Sequence, residues 1–350
     1  MRTGKLLSPV DERWPKGRRL VAAGWALRLA GGVLGVTGWL VFRSGWTSDQ
    51  LSGMLHPAWW LRGLAGLVAA AVGLRIFGAG RRLVVQGKRY TADVIDAFDV
   101  LAGTRYVLYL RPFSNDAAMA ALDTDIQGGG AQPPLLFFLS GLTHEEKLVH
   151  RFGLFGRVIA VGRPGEHLPP IGAVRGQLPL DDWQGTVSSL IEGAQMVLMA
   201  AGLGPGTVWE FTEAVRLLQP STRLVVLIYC DAATYESFRE AVAVEYERRS
   251  RTEPQPSGTA WPPLPALPDY PLPVRPTRPR WEVWLNGGRK RLRWDFVLKG
   301  VVVFDPGWEA TFTRFDPTAL RMPFALTLGR LVKRELRPVM AQLEALPPRN

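Results

Sequence analysis

Apolar residues follow two rhythms along the 350-residue chain. From Leu20 to Phe42 (LVAAGWALRLAGGVLGVTGWLVF) and from Pro57 to Gly80 (PAWWLRGLAGLVAAAVGLRIFGAG) they run almost unbroken. Each run has the length of a bilayer-crossing helix, about 20 residues. From residue 90 onward short apolar runs take over: RYVLYL (105–110), RVIAVG (157–162), MVLMAAG (196–202), RLVVLIY (223–229) and GVVVF (300–304). Their β-branched and aromatic content predicts strands buried on both faces of a parallel sheet. Between them lie THEEKLVHRFGLF, LDDWQGTVSSLIEGA, TVWEFTEAVRLL and DAATYESFREAVAVEYERR. These have helical spacing, and several carry a Thr or Asp placed to cap. The alternation predicts an α/β fold: a doubly wound parallel sheet of about five strands, preceded by a two-helix transmembrane hairpin.

The same pattern sets the domain limits. A basic N-terminus (1–19) precedes the two spans (20–80), a juxtamembrane helix (81–103) and the α/β domain (104–250). Residues 251–299 form an insertion. TEPQPSGTAWPPLPALPDYPLPVRPTRPR is too proline-dense for anything but an extended or disordered course, and WEVWLNGGRKRLRWDF, with Asn286-Gly287-Gly288 between alternating residues, predicts a β-hairpin. The last strand and an amphipathic helix, Pro323 to Leu346, complete residues 300–350 and cover one sheet face.

Charge orients the spans. Six Lys or Arg precede the first span and four follow the second, whereas Arg43 alone stands in the connecting loop. By the positive-inside rule both termini are expected in the cytoplasm of a two-pass protein of the inner (plasma) membrane. The net charge of +11 gathers beside the spans and in the insertion. That distribution predicts anionic lipid as the partner, and no basic motif of a nucleic-acid module is present. Arg28, Arg62 and Arg75 interrupt the apolar runs, Arg28 least comfortably. The single cysteine, Cys230, excludes an internal disulfide. Four scattered histidines, without Cys or paired carboxylates at ligand spacing, give no metal site.

Open α/β sheets bind ligands beyond the carboxyl ends of their strands, where strand order reverses. Three segments fall there: LRPFSND with Arg111, Phe113 and Asp116; GRPGEHLPPIGAVR with Gly162 and Arg163; and GLGPGTVWEFTEA with Gly204, Gly206, Thr207, Trp209, Glu210 and Glu213. The glycines let a ligand approach the backbone, and a helix start favours anions. A glutamate at a helix start is also stabilised by the helix dipole whatever the protein does. Glu145 and Glu146 read as a solvated first turn, and Asp181 and Asp182 as caps. GLGPG lacks the spacing of a dinucleotide fingerprint, so hydride transfer is not expected.

MVLMAAGLGPGTVWEFTEA is similar to the strand, glycine loop and helix of nucleoside 2-deoxyribosyltransferases, whose motif of GT, two residues, E, three residues and A matches Gly206-Thr207, Glu210 and Ala214. It also resembles TIR domains, in which the glutamate of NAD-cleaving members lies four residues after a Trp; that spacing selects Glu213 instead. The likeness covers roughly residues 104–245 and 300–305, and the proline-rich insertion is foreign to both families. The arrangement of anchor and module also resembles two-span bacterial membrane proteins. The resemblance implies a flavodoxin-like sheet and a hydrolase or transferase that cleaves a ribosyl-base bond.

In that chemistry a carboxylate, Glu210 or alternatively Glu213, stabilises or attacks a sugar that becomes cationic. Arg111 or Arg163 would bind a pyrophosphate, Phe113 or Trp209 would stack on a base, and Asp116 would hold the ribose. No cofactor is implied; NAD or a nucleoside enters as substrate. TIR-type enzymes assemble to become active, so homo-oligomers are expected. The alternative is a catalytically inactive module that binds protein or senses a nucleotide at the membrane.

Overall fold

A computed structural model describes residues 9–47, 58–91, 94–95, 98–116, 119, 143–162, 171–178, 182–254, 260–277, 279–285, 296–321 and 325–347. The chain divides into two units, Met1–Ala92 with Leu168–Ile171, and Asp93–His167 with Gly172–Asn350.

The first unit is a hairpin of α1 (Pro9–Thr47) and α2 (Ala58–Tyr90). Both helices are long and apolar enough to cross a membrane, with 31-residue stretches of mean hydropathy 1.5 and 1.6. The second runs without a break to Tyr90, so residues 81–90 continue it rather than opening a separate juxtamembrane helix. Seven-residue spacing of glycines explains their contact. Gly17 faces Gly87, Gly24 faces Gly80, Gly31 faces Gly73 and Gly38 faces Gly66. A methyl group added to Gly17, Gly24, Gly31 or Gly38 would lie 2.8, 2.7, 2.6 or 2.7 Å from its partner's carbonyl oxygen. A strict seven-residue repeat keeps one seam facing the partner helix, and the missing side chains let the backbones meet. Leu29, Val33 and Val36 on α1 and Leu64, Leu67 and Val68 on α2 stay exposed. Arg28 is buried, its guanidinium 4.2 Å from the Trp25 ring and 5.2 Å from that of Phe77.

The second unit is α/β. Its strands are β1 (Val94–Ile95), β2 (Tyr106–Leu110), β3 (Arg157–Gly162), β4 (Val174–Gln177), β5 (Met196–Ala200), β6 (Leu224–Ile228), β7 (Gly300–Phe304) and β8 (Ala310–Arg314). They form one sheet in the order β1-β4-β3-β2-β5-β6-β7-β8. The five expected strands are present, but the sheet has eight and is mixed. Strands β1 to β6 are parallel, whereas β7 pairs antiparallel with both β6 and β8. The long insertion before β7 frees that strand from the direction a short helical crossover imposes. A tight turn then returns the chain into β8, with Asp305 Oδ1 accepting from the amides of Gly307 and Glu309.

Helices cover both faces: α3 (His144–Phe152), α4 (Trp183–Gly193), α5 (Pro205–Leu217), α6 (Ala232–Thr252) and α8 (Ala325–Glu344); the short α7 (Arg280–Leu285) belongs to the insertion. Alternate strand residues feed two cores. Leu108, Leu110, Val197 and Val226 pack with α4, α5 and α6, while Val107, Tyr109, Leu198 and Val225 pack with α3 and α8. The amphipathic α8 thus covers one face as its pattern predicts, through Leu336, Val339 and Leu343.

The insertion departs from expectation in its second half. Residues 281–285, expected as a hairpin strand, belong to the helix α7; the turn at Asn286-Gly287-Gly288 lies outside the described residues. WEVWL fits both periods: Trp281, Val283 and Leu285 alternate as on a strand, whereas Trp281 and Trp284, three positions apart, share one side of a helix. The proline-rich part is extended and packed. Leu267 is buried in the core, the Tyr246 hydroxyl donates to the Pro262 carbonyl, and Trp261 Nε1 donates to the Glu253 carbonyl at 2.8 Å.

Candidate functional site

Strand order reverses between β2 and β5: the chain first builds outward through β3 and β4, then returns to add β5 and β6 on the other side of β2. An open cleft of about 770 Å³ lies there. The segments after β2, β5 and β6 wall it with Arg111, Phe113, Gly202, Gly204, Tyr229 and Cys230, and α4, α5 and α6 contribute Trp183, Thr207, Glu210 and Thr234. Gly202 is required by contact, since a Cβ there would meet Pro112 Cγ at 2.5 Å.

Helix α5 begins at Pro205, with Gly204 as its N-cap and no side chain capping it. The first amides of a helix have no intrahelical acceptor, so this end is electropositive. Glu210 is the sixth residue of the helix, in its second turn. It shares one helical side with Gly206 and Thr207, four and three residues earlier, and all three line the cleft. A dipole effect confined to the first turn does not explain its position. Glu210 is half-buried and accepts no hydrogen bond from any described residue. Loss of water pushes its pKa up to about 8.

Glu213 faces elsewhere. It is fully buried, accepting from Ser188 Oγ at 2.5 Å, Arg216 Nε at 2.8 Å and Arg249 Nη2 at 2.6 Å. Burial alone would raise its pKa, but these donors outweigh that and hold it below the usual value. Its role here is to tie α4, α5 and α6 together.

Arg111 reaches the cleft from within an ion cluster. Nη1 donates to Glu145 Oε2 at 2.7 Å and Nη2 lies 2.6 Å from Asp116 Oδ1. Glu145 also accepts from Arg175 Nη2 at 3.0 Å and from the Ala173 amide at 3.1 Å. Far from a solvated first turn, Glu145 is completely buried; Glu146 closes a capping box with Thr143. Burial opposes the charge of Arg111, yet Glu145, Tyr109 and Asp116 more than restore it. Tyr109 lies beneath its guanidinium, 5.3 Å from ring centre to Cζ, with a pKa pushed up to about 12 by burial.

The remaining predicted residues divide. Phe113 stands at the mouth, 37% exposed. Asp116 is turned to Arg111, and Gly162 ends β3 without lining the cleft. Arg163 lies outside the described residues, as do Glu166 and Asp181. Trp209 is buried, edge-on to Trp183 at 5.0 Å and 4.9 Å from the Arg249 guanidinium; Trp183 offers the cleft its ring instead. Sequence reasoning missed Trp183, Tyr229, Cys230 and Thr234. Tyr229 and Cys230 end the fourth predicted strand, where the carboxyl-end rule points equally well. Asp182 does cap α4, accepting from the Gly185 amide at 2.9 Å. Burial raises the pKa of Cys230. No group of three metal-ligating side chains occurs among the described residues.

Compared with protein families, curated proteins and solved structures, the chain matches no family, no curated protein and no solved structure.

Proposed function

We propose that the cleft binds a nucleotide and cleaves its ribosyl-base bond, a membrane-anchored, TIR- or deoxyribosyltransferase-like N-glycosidase or glycosyltransferase. The observation that supports this most is Glu210, which no described donor occupies and which faces an open cleft beside an uncapped helix start. As its bond breaks the sugar turns cationic, and a carboxylate at that point stabilises the charge or captures the anomeric carbon. Phe113 and Trp183 offer aromatic surfaces for a base, and the α5 amides with Arg111 suit anionic groups. NAD or a nucleoside is then substrate rather than cofactor. The two apolar helices anchor the site in the inner (plasma) membrane with both termini cytoplasmic, and lateral association of copies completes or activates it.

The elevated pKa of Glu210 favours a second reading, a nucleotide-sensing module without turnover, because most of the carboxyl is neutral at pH 7. Full-length protein in nanodiscs, incubated with NAD and with nucleosides, separates the two. The enzyme reading expects base release from wild type and from Glu213→Gln protein that remains folded, and none from Glu210→Gln. Ligand binding without release in every variant supports the sensor. Crosslinking in the same nanodiscs reports association; turnover by a strictly monomeric protein removes that part of the proposal.

A further inference from the structure

Four arginines of the hairpin, Arg28, Arg43, Arg62 and Arg75, stand at two levels. The glycine contacts set the register: a Cβ on Gly80 would lie between the Gly24 carbonyl and Arg28 N, and one on Gly66 between the Gly38 carbonyl and Phe42 N. Arg28 therefore falls within about a turn of Arg75, and Arg43 within about a turn of Arg62. Between these levels neither helix carries a charge. The two stretches, residues 29–42 and 63–74, amount to about 21 and 18 Å of helix.

Exposure changes at the same levels. Among the described residues of the hairpin, exposed large aliphatic side chains run only from Leu29 to Val41 on α1 and from Leu61 to Val72 on α2. Beyond Arg28 and Arg75, away from the connecting loop, Val21, Leu27, Ile76, Leu83 and Val84 are half-buried or buried. Exposed positions there include Ala22, Ala23, Arg82 and Gln86. A helix in water hides its leucine and valine against a partner, whereas lipid imposes no such demand. Trp25 stands exposed at the boundary, with the Arg28 guanidinium 4.2 Å from its ring. Indoles favour that depth.

We propose that bilayer hydrocarbon covers only the stretch between the two arginine levels, and that the rest of the hairpin, through Leu27 on α1 and from Ile76 to Tyr90 on α2, stands in water as a two-helix stalk. The contacts of Gly17 with Gly87 and of Gly24 with Gly80 close the stalk. Arg43, Arg62 and Arg75, all exposed, then reach the phosphates of the two leaflets, while Trp25 and Phe77 shield Arg28. An apolar stretch of about 20 Å is shorter than a typical core of about 30 Å, so the arginine stems extend outward and the bilayer thins locally. The runs 20–42 and 57–80 look longer by hydropathy because the alanines and glycines of the stalk are apolar without being large. The inference rests on the membrane reading of α1 and α2, which alkaline carbonate extraction tests separately.

The experiment uses full-length protein with Cys230→Ser and one new cysteine at a time: Ala22→Cys, Leu29→Cys, Val36→Cys or Val68→Cys. Each is labelled with a fluorophore and reconstituted in phosphatidylcholine vesicles. Lipids spin-labelled near the headgroup or deep in the acyl chain read the depth of each label. Positions 36 and 68 are expected at the bilayer centre and position 29 about 10 Å shallower. Adding Arg28→Leu with Arg75→Leu should draw position 29 inward. At position 22 aqueous iodide should quench the label and deep spin labels should not. Position 29 lying deeper than position 36, the order that a span over 20–42 requires, overturns the proposal, and so does a label at position 22 shielded from iodide. No quenching by lipid at any position, together with release by carbonate, removes the membrane reading itself and the proposal with it.

Discussion

Glu210 and Glu213 stand three residues apart on α5 and live in opposite surroundings. Glu213 is fully buried and satisfied by Ser188, Arg216 and Arg249, whereas Glu210 is half-buried at the cleft and takes no hydrogen bond from a described residue. One glutamate is tied into the scaffold, and the other faces the cleft. Their substitutions should therefore fail in different ways.

Glu210 makes stability depend on pH in a direction unusual for a carboxylate. Its folded-state pKa, about 8, lies above the ordinary 4.5, so the folded protein holds this proton more tightly. The group costs nothing below the lower value, and its penalty grows as pH rises through the window up to about 8. The slope is at most about 1.4 kcal/mol per pH unit. Glu210→Gln should flatten it, so the variant gains on wild type as pH rises. Tm measured across this window for both proteins checks the prediction; parallel curves refute it.

The same ionisation should appear in turnover. If the carboxylate is the reactive form, base release at low substrate concentration climbs with pH and levels off above about 8. A rate independent of pH through this range counts against Glu210 in that role.

Removing a carboxylate from a buried ion cluster leaves an excess of positive charge there, at a cost of up to about 3–5 kcal/mol. Glu213→Gln leaves Arg249, which is 1% exposed, with Glu253 as its carboxylate partner, and Glu145→Gln removes the carboxylate that Arg111 and Arg175 share. Both should lower Tm sharply. Pairing Glu213→Leu with Arg249→Met should recover much of the loss, because no buried charge then remains between them. A double variant no better than the single one argues that the network contributes through more than its charges.

The glycine seam gives a prediction for the hairpin. Gly31→Val places side-chain atoms where a methyl already meets Phe77 N at 2.5 Å, so the helices must part, with an overpacking cost of about 1–3 kcal/mol. Gly63→Val is the control, since nothing lies within 4 Å of a Cβ there. Thermal unfolding in detergent should separate the two variants; equal behaviour would mean that the seam is not closed in the protein.

What could be read from sequence follows from burial. Strands apolar on both faces announce themselves, and β2, β3, β5, β6 and β7 were expected where they lie. Strand β4, with Arg175 and Gln177, and the Thr-rich β8 carry no apolar run. Arg175 is buried against Glu145, thirty residues away; such a partner is invisible until the chain is folded. Glu210 was legible because it follows a glycine loop at the carboxyl end of a predicted strand. Trp183 was not, since its neighbour Asp182 explained the segment as a cap and concealed the ring behind it.

The ends of the sheet restrict how copies of this protein can meet. One border is β1, two residues long, and the other is β8, five residues long, beside which Arg314 donates to the Pro271 carbonyl. Among the described residues neither presents a long, bare backbone ladder of the kind on which a neighbouring strand is built. An assembly held by helix faces, loops or lipid would come apart without either partner surrendering a strand.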